Sequence, residues 1–224
     1  MLRVAVAGGT AEVRCSTVTD GDFHIEAPRA ALEHRRRAFA PGVWTQLDEV
    51  HGTDVLTVTR PGEHDYVMGD GLVTRLAGAV LGVWVGDCAP VALVGDDGTL
   101  GAAHAGWKGA LAGVLPATVA AMGCAPGTVR AFLGPCIHPC CYEFGASELA
   151  GFVERFGPSV AATTAWGTPA LDLPAVVRSS LAEVGVVVTD IGGCTGCRDD
   201  VWFSHRRRVQ AGRQVMTVCR RAAQ

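Results

Sequence analysis

Short apolar runs of strand length alternate with polar and glycine-rich segments along most of the chain. The first two runs, residues 4–7 and 11–15, are separated by Gly8-Gly9-Thr10, and this pattern predicts a β-hairpin. Further strands are predicted at 43–47, 55–59, 81–85, 91–94, 100–103, 129–133, 186–190, 201–203 and 214–219.

Residues 28–39 have a helical composition, rich in Ala, Leu, Glu and Arg. Further helices are predicted at 108–122, 147–155 and 173–184. The second helix is expected to bend or break near Pro116, which has no backbone N–H to donate. Strands and helices interleave without regular βαβ spacing. We therefore expect one domain over residues 1–224, of the α/β (α+β) class, with a mixed β-sheet core flanked by helices.

The composition and net charge of the chain argue against some classes of protein. Of the 224 residues, 49% are hydrophobic and only 18% are charged, which argues against disorder. The formal net charge of −3 gives no indication of a nucleic-acid or membrane partner. The basic residues Arg206, Arg207 and Arg208 are interpreted as a solvated face in preference to an anion site.

The N-terminal apolar run is too short for a signal peptide and lacks a cleavage pattern, and no run in the sequence approaches the length of a membrane-spanning helix. Nine cysteines are an odd number, and without an export signal they are expected to be thiols or metal ligands, not a disulfide framework. The expected location is the cytoplasm.

Three separate segments place a metal-ligating side chain beside glycine at the end of an apolar run. These side chains are His51, Cys88 and His104. Two imidazoles and a thiolate suit zinc, whose catalytic sites commonly keep a fourth position open. The spacing matches no local zinc motif, so spacing alone favours a hydrogen-bonded core residue over a metal ligand for each histidine.

Several motifs occur in an order that matches one family. They are Glu49-Val50-His51-Gly52-Thr53-Asp54-Val55, Gly69-Asp70-Gly71-Leu72-Val73-Thr74, Gly86-Asp87-Cys88-Ala89-Pro90, His104-Ala105-Gly106-Trp107-Lys108-Gly109, Leu133-Gly134-Pro135-Cys136-Ile137, Cys194-Thr195, Phe203-Ser204-His205-Arg206-Arg207 and Gly212-Arg213. Together they resemble the YfiH, or laccase-domain, family, also labelled multicopper polyphenol oxidoreductases, from about residue 15 to residue 218.

The resemblance implies a fold and a chemistry. The fold is a mixed α/β domain that is similar to cysteine–histidine hydrolase toxins. The implied metal is Zn²⁺, held by His51, Cys88 and His104. The implied activities are phosphorolysis of adenosine, inosine, guanosine and methylthioadenosine, and deamination of adenosine. The implied partners are a purine nucleoside and phosphate, and the oligomeric state stays open.

The resemblance also suggests roles for individual residues. Cys88 and His104 would belong to the catalytic centre, with Asp87 as a proton carrier or a support for the ligands, or else a plain turn residue. Arg35 is implied to contact substrate. Lys108 is a candidate for a phosphate or ribose contact, and Trp107 for base stacking or core packing.

Four positions depart from the family pattern. Glu49 replaces the usual Gln, His34 the usual Asn, Lys108 the usual Arg and His205 the usual Tyr. A carboxylate at Glu49 would add negative charge beside the metal and disfavour phosphate. A lysine presents a point charge where the arginine would present a planar fork.

Other functions stay open at this stage. The chain could be a copper-dependent polyphenol oxidase, since copper also accepts these ligands, but its seven histidines include no His-x-His pair. It could be a metal-free hydrolase with Cys88 as nucleophile and His104 as base. It could also be a binding module for cell-wall precursors.

A second group of cysteines remains. Cys194 and Cys197 form a C-x-x-C pair. With Cys136, Cys140 and Cys141 they could form a structural zinc site, or they could be incidental thiols or a redox pair, the last without the helix that a redox motif needs.

Overall fold

The computed structural model describes residues 1–125 and 127–222, and its strands form two large sheets and one small one. Within these residues the strands are β1 Leu2–Val6, β2 Gly9–Cys15, β3 Val43–Gln46, β4 Val55–Val58, β5 Gly71–Thr74, β6 Ala79–Val85, β7 Ala89–Gly95, β8 Leu100–Ala105, β9 Val129–Leu133, β10 Ala161–Thr163, β11 Pro169–Leu171, β12 Val187–Asp190 and β13 Gln214–Ala222. The α-helices in the same residues are α1 Arg29–Phe39, α2 Trp107–Ala112, α3 Val114–Met122, α4 Ala146–Phe156, α5 Leu173–Ala182 and α6 His205–Arg208.

Both large sheets are mixed. One has the order β1-β2-β13-β6-β3, in which only the β3–β6 pair is parallel. The other has the order β12-β9-β7-β8-β5-β4, with parallel pairs at its two ends. Strands β10 and β11 form a separate two-stranded antiparallel sheet. The expected mixed α/β domain flanked by helices is confirmed.

The two large sheets stack face to face, and helices cover the outer surfaces. Apolar side chains from both sheets meet between them, for example Leu81 and Val218 from one and Leu100 and Phe132 from the other. Helix α1 covers the outside of the first sheet, and α2 to α5 cover the outside of the second. Each large apolar side chain buried in these layers contributes about 1.5–3 kcal/mol.

Most predicted elements are present within a residue or two. The turn at Gly8-Gly9 joins β1 to β2, and Gly8 has a φ of +74°, a conformation that glycine adopts without strain. The helix predicted over 108–122 breaks, but at Gly113 and not at Pro116. Gly113 has a φ of +100° and ends α2, while Pro116 lies in the first turn of α3, where its missing N–H costs nothing.

One predicted strand is absent from the residues that the structure describes, and four observed elements, β5, β10, β11 and α6, were not predicted. The strand predicted at 201–203 is wrong, because the backbone N–H groups of Val201 and Trp202 both donate to the carbonyl of Arg198 and close a turn. Strand β5, Gly71–Thr74, lies between β4 and β8 and was not predicted. Its four residues are too few to show a period.

One connection in the fold positions the candidate site. Strand β6 belongs to the first large sheet and β7 to the second, so the chain passes from one sheet to the other at Gly86-Asp87-Cys88. On β8, next to β7, His104 pairs with Pro90. Cys88 and His104 therefore come together at the same end of the sandwich.

Candidate metal centre

Three potential metal ligands that are distant in sequence converge at this end of the sandwich. His51, Cys88 and His104 each offer one ligand atom, and these atoms lie within 4.8 Å of one another. The Cys88 sulfur is 3.7 Å from Nε2 of His51. Each ligand comes from a different kind of element: His51 from the loop between β3 and β4, Cys88 from the crossover and His104 from β8.

Asp70 holds two of these ligands in place. Its Oδ1 atom accepts from Nδ1 of His104 at 2.8 Å and from the backbone N–H of His51 at 2.9 Å. Its Oδ2 atom accepts from the backbone N–H of Gly52 at 2.7 Å. A carboxylate on Nδ1 leaves Nε2 of His104 free for a metal, as is usual for histidine ligands.

Gly106 leaves the space in which these side chains meet. A Cβ atom at this position would lie 2.4 Å from Cδ2 of His51 and 3.2 Å from the sulfur of Cys88. Only glycine fits there without displacing a ligand. Two imidazole nitrogens and one sulfur, the hydrogen bonds to Asp70 and the space beside Gly106 together fit a metal ion such as zinc or copper.

The charges at the centre are strongly coupled. Burial disfavours a thiolate, but the neighbouring imidazoles of His104 and His51 outweigh it and lower the pKa of Cys88 to about 6. Burial likewise opposes a charged His104, yet Glu49 and Cys88 raise its pKa well above the usual value. Burial raises the pKa of Glu49 to about 8. The site thus favours a thiolate, which is the form that binds a metal.

The centre opens into a cavity of about 360 Å³, a size that accommodates a small molecule. It is lined by charged, imidazole and aromatic side chains together with the candidate ligands. The lining residues are His24, Glu49, His51, Trp84, Val85, Gly86, Asp87, Cys88, His104, Trp107, Tyr142, His205, Arg206 and Arg213.

Of the residues suggested for substrate contacts, Glu49 and Trp107 line this cavity. The Glu49 carboxylate is buried, with Oε2 3.5 Å from Nε2 of His104 and Oε1 accepting from the backbone N–H of Trp84. Trp107 is half-buried, and its ring meets those of Phe144 and Phe152. Trp107 therefore has a core contact and a cavity face.

Arg35 and Lys108 do not line the cavity. The Arg35 guanidinium donates to the carbonyl of Asp22 at 2.8 Å and lies in a separate surface pocket. Arg35 thus supports the loop that carries His24 and does not itself reach the metal centre. Lys108 is exposed at the start of α2, with its ammonium beside the Trp107 ring.

Asp87 lies in the cavity wall, and its carboxylate accepts three hydrogen bonds from the C-terminal part of the chain. Its carboxylate accepts from the hydroxyl groups of Thr195 and Ser204, at 2.6 and 2.8 Å, and from the backbone N–H of Arg206 at 2.6 Å. These bonds favour a role in holding residues 195–206 against the crossover.

Sequence reasoning gave no site role to several contributors, among them Asp70, Arg206 and Arg213. Asp70 was part of a recognised motif but had no assigned role, because its partner His104 is 34 residues away. Arg206 was interpreted as part of a solvated face, and Arg213 was noted only as part of a motif. The motif Phe203-Ser204-His205-Arg206-Arg207 could have pointed to Arg206, because a charged residue in a family motif away from the core suggests binding.

Comparison with known proteins identifies the class. Residues 11–221 match the family described as multi-copper polyphenol oxidoreductase laccase, and the chain belongs to this family. Curated relatives include the purine nucleoside phosphorylase of Xylella fastidiosa strain Temecula1, 39% identical over 210 residues that cover 89% of this chain and 80% of the relative.

One further curated relative carries the family name that the motifs suggested, and a solved structure shares the fold. The purine nucleoside phosphorylase YfiH of Escherichia coli is 37% identical over 210 residues, covering 89% of this chain and 82% of the relative. The crystal structure of YlmD from Geobacillus stearothermophilus superposes with a TM-score of 0.80 at 29% identity, covering 96% of this chain and 93% of YlmD. The resemblance to the YfiH family is confirmed.

In the part of the chain that the structure describes, no helix is both long and apolar enough to span a bilayer.

Proposed function

We propose that the protein is a zinc-dependent purine nucleoside phosphorylase that also deaminates adenosine. The observation that carries this proposal is the convergence of His51, Cys88 and His104 at the mouth of a cavity with cationic and aromatic walls. Several relatives are named purine nucleoside phosphorylases, which supports the substrate class.

His51, Cys88 and His104 would hold the zinc. When bound there, zinc supplies a Lewis acid with an open position for an oxygen of phosphate or water. The protein's own residues must then bind the nucleoside, bind the anion and supply protons. In phosphorolysis, a phosphate oxygen bonds to the ribose C1′ as the bond to the purine nitrogen breaks, and the departing purine takes up a proton.

Arg206 and Arg213 are the best placed cations for phosphate. Both line the cavity. Within the described residues, the side-chain hydrogen bonds of each involve only Nη1, with Glu143 as acceptor for Arg206 and residues 210–212 as acceptors for Arg213. Because a guanidinium has five N–H groups, each arginine keeps donors for an anion.

The purine would be held by aromatic faces. Trp84, Trp107 and Tyr142 all line the cavity, and flat rings stack on nucleobases irrespective of the base. The imidazoles of His24 and His205 border the same space and are candidates for the proton that the leaving purine takes up. This arrangement fits several purine nucleosides and gives no preference among adenosine, inosine, guanosine and methylthioadenosine.

Incubation of the purified zinc-loaded protein with adenosine, with and without phosphate, tests the proposal. Chromatography should show adenine and ribose 1-phosphate only when phosphate is present, and inosine in both cases. The Cys88→Ala variant should lose both products and the zinc of this site, whereas Cys124→Ser should keep them. Absence of both products from a protein in which zinc occupies the site of His51, Cys88 and His104, as judged by zinc that Cys88→Ala loses, would contradict the proposal.

The family description favours one alternative, a copper-dependent polyphenol oxidase, since copper accepts the same nitrogen and sulfur ligands. The same protein loaded with copper would then oxidise a phenol with uptake of O₂, at a rate that Cys88→Ala abolishes. The lowered pKa of Cys88 favours another, a metal-free hydrolase. That function requires turnover to survive complete removal of metal.

A further inference from the structure

A second group of sulfur atoms lies apart from the metal centre. The side chains of Cys140, Cys141, Cys194 and Cys197 bring their Sγ atoms within 4.8 Å of one another. Cys136, which the sequence also suggested, is not in this group. It is fully buried, and its backbone pairs with that of Cys194.

We propose that these four cysteines bind a structural zinc ion, in addition to the metal at His51, Cys88 and His104. The sulfur of Cys197 lies 3.4 Å from those of Cys140 and Cys141, and the sulfurs of Cys140 and Cys194 are 3.7 Å apart. Tetrahedral zinc with Zn–S bonds of about 2.3 Å places its sulfurs about 3.8 Å apart. Small adjustments of the side chains would therefore complete the coordination.

The backbone around the cluster also suits a thiolate site. The ligands come as two pairs: adjacent cysteines from the 3-10 helix Pro139–Cys141, and the C-x-x-C turn, whose two-residue spacing is typical of structural zinc sites. The backbone N–H of His138 points at the sulfur of Cys194 at 3.4 Å, a donor for a thiolate. A Cβ atom at Gly196 would lie 2.6 Å from Cβ of Cys141, so only glycine lets the two pairs approach.

Two arginines compensate the charge of the cluster. Four thiolates and one Zn²⁺ leave a net charge of −2. Arg207 stacks on Trp166 beside the cluster and contacts Gly196 with its aliphatic part. Arg208 donates to the carbonyls of Thr195 and Gly196, within the C-x-x-C turn itself. The two guanidinium charges balance the excess negative charge.

The position of the four-cysteine cluster gives its zinc ion a structural role. Thr195, between the two cysteines of the turn, donates its hydroxyl to Asp87, the residue before the Cys88 ligand. Cys140 and Cys141 are followed directly by Tyr142, which lines the cavity. A zinc ion here would fix both cavity walls relative to the crossover without contacting substrate.

Metal counting tests the proposal independently of any activity. The wild-type protein should contain two zinc ions per chain, and Cys88→Ala should contain one. X-ray absorption of Cys88→Ala should show a first shell of four sulfurs at about 2.3 Å. This measurement leaves the cluster itself intact, so it does not depend on whether a cluster variant folds.

Cys197 is the best position for a complementary substitution, because its side chain is exposed and packs least. In Cys197→Ser combined with Cys88→Ala, the all-sulfur shell should disappear, whereas Cys124→Ser with Cys88→Ala should retain it. A Cys88→Ala protein that contains no zinc, shows nitrogen or oxygen in place of the four sulfurs, or carries a disulfide by mass spectrometry would overturn the proposal.

Discussion

The carboxylate oxygen Oε2 of Glu49 lies 3.5 Å from Nε2 of His104, the nitrogen that faces the candidate metal. The relationship places a potential negative charge at the point where an anionic co-substrate would arrive. Because its other oxygen accepts from the backbone N–H of Trp84, a glutamine could keep this bond and lose only the charge.

At about pH 9, above the pKa of about 8 that burial gives Glu49, Glu49→Gln should therefore lower the KM for phosphate by about fivefold or more, since removing a like charge a few ångströms away is worth about 1 kcal/mol or more. At about pH 6, where the Glu49 carboxyl is protonated and neutral, the substitution should leave this KM unchanged. Steady-state phosphorolysis at varied phosphate concentration measures this. The exposed Glu183→Gln, which removes the same charge far from the cavity, serves as the control. A KM for phosphate that Glu49→Gln leaves unchanged at about pH 9, where the Glu49 carboxyl is ionised, would show that Glu49 does not repel the anion.

Asp70 supports both histidine ligands, so its removal should weaken metal binding. Asp70→Asn keeps the size of the side chain but loses the charge that orients His104. Substitutions of such supporting carboxylates typically reduce metal affinity about 10- to 100-fold. Competition with a chelator measures the affinity, and the exposed Asp96→Asn should bind as tightly as wild type. Equal affinities for the two variants would contradict the role given to Asp70.

Gly106→Ala should disrupt the centre by crowding. The added methyl group would lie 2.4 Å from Cδ2 of His51, and such overpacking costs about 1–3 kcal/mol. We expect lower stability towards denaturant and loss of one metal ion per chain. Gly151→Ala is the matched control, because it lies in α4 with open space around it and should gain about 0.5–1 kcal/mol.

In the metal-free protein, Cys88 should react with iodoacetamide as its thiolate forms. The imidazoles of His104 and His51 overcome the effect of burial and lower the pKa of Cys88 from 9.0 to about 6. The thiolate, and with it the reaction rate, should therefore increase as the pH rises through about 6 and level off above it. Burial raises the pKa of Cys124, which should react only under more alkaline conditions.

Peptide mass spectrometry after timed labelling resolves the two cysteines. A Cys88 that labels only in the alkaline range would mean that the two imidazoles do not stabilise its thiolate. Bound zinc should protect Cys88 at every pH tested.

Most helices and strands could be predicted from the residues within each element. The others depend on contacts with residues that are distant in the sequence. The hairpin at Gly8-Gly9 and helix α1 follow from turn chemistry and composition, which neighbours in sequence determine. The break at Gly113 was misplaced because a proline in a first turn is harmless, and the sequence does not show where that turn begins. Residues 201–203 have the apolar composition of a strand, which explains the wrong prediction, but in the described structure they form a turn and pair with no strand.

Some residues of the candidate site could also be predicted from the sequence, and others could not. His51, Cys88 and His104 were identified because motifs of a known family carry them, while their spacing alone favoured core histidines over metal ligands. Asp70 and Arg213 reach the centre through contacts between sheets and loops that no window of sequence contains. Arg35 was suggested by its motif, but its guanidinium lies in a separate surface pocket, where it donates to the carbonyl of Asp22.

Strand β13 pairs with β2 on one side and β6 on the other, at the middle of its sheet. During synthesis on the ribosome, both neighbouring strands emerge before β13, and so does the Cys88 crossover that follows β6. The first large sheet therefore cannot close until residues 214–222 have left the exit tunnel.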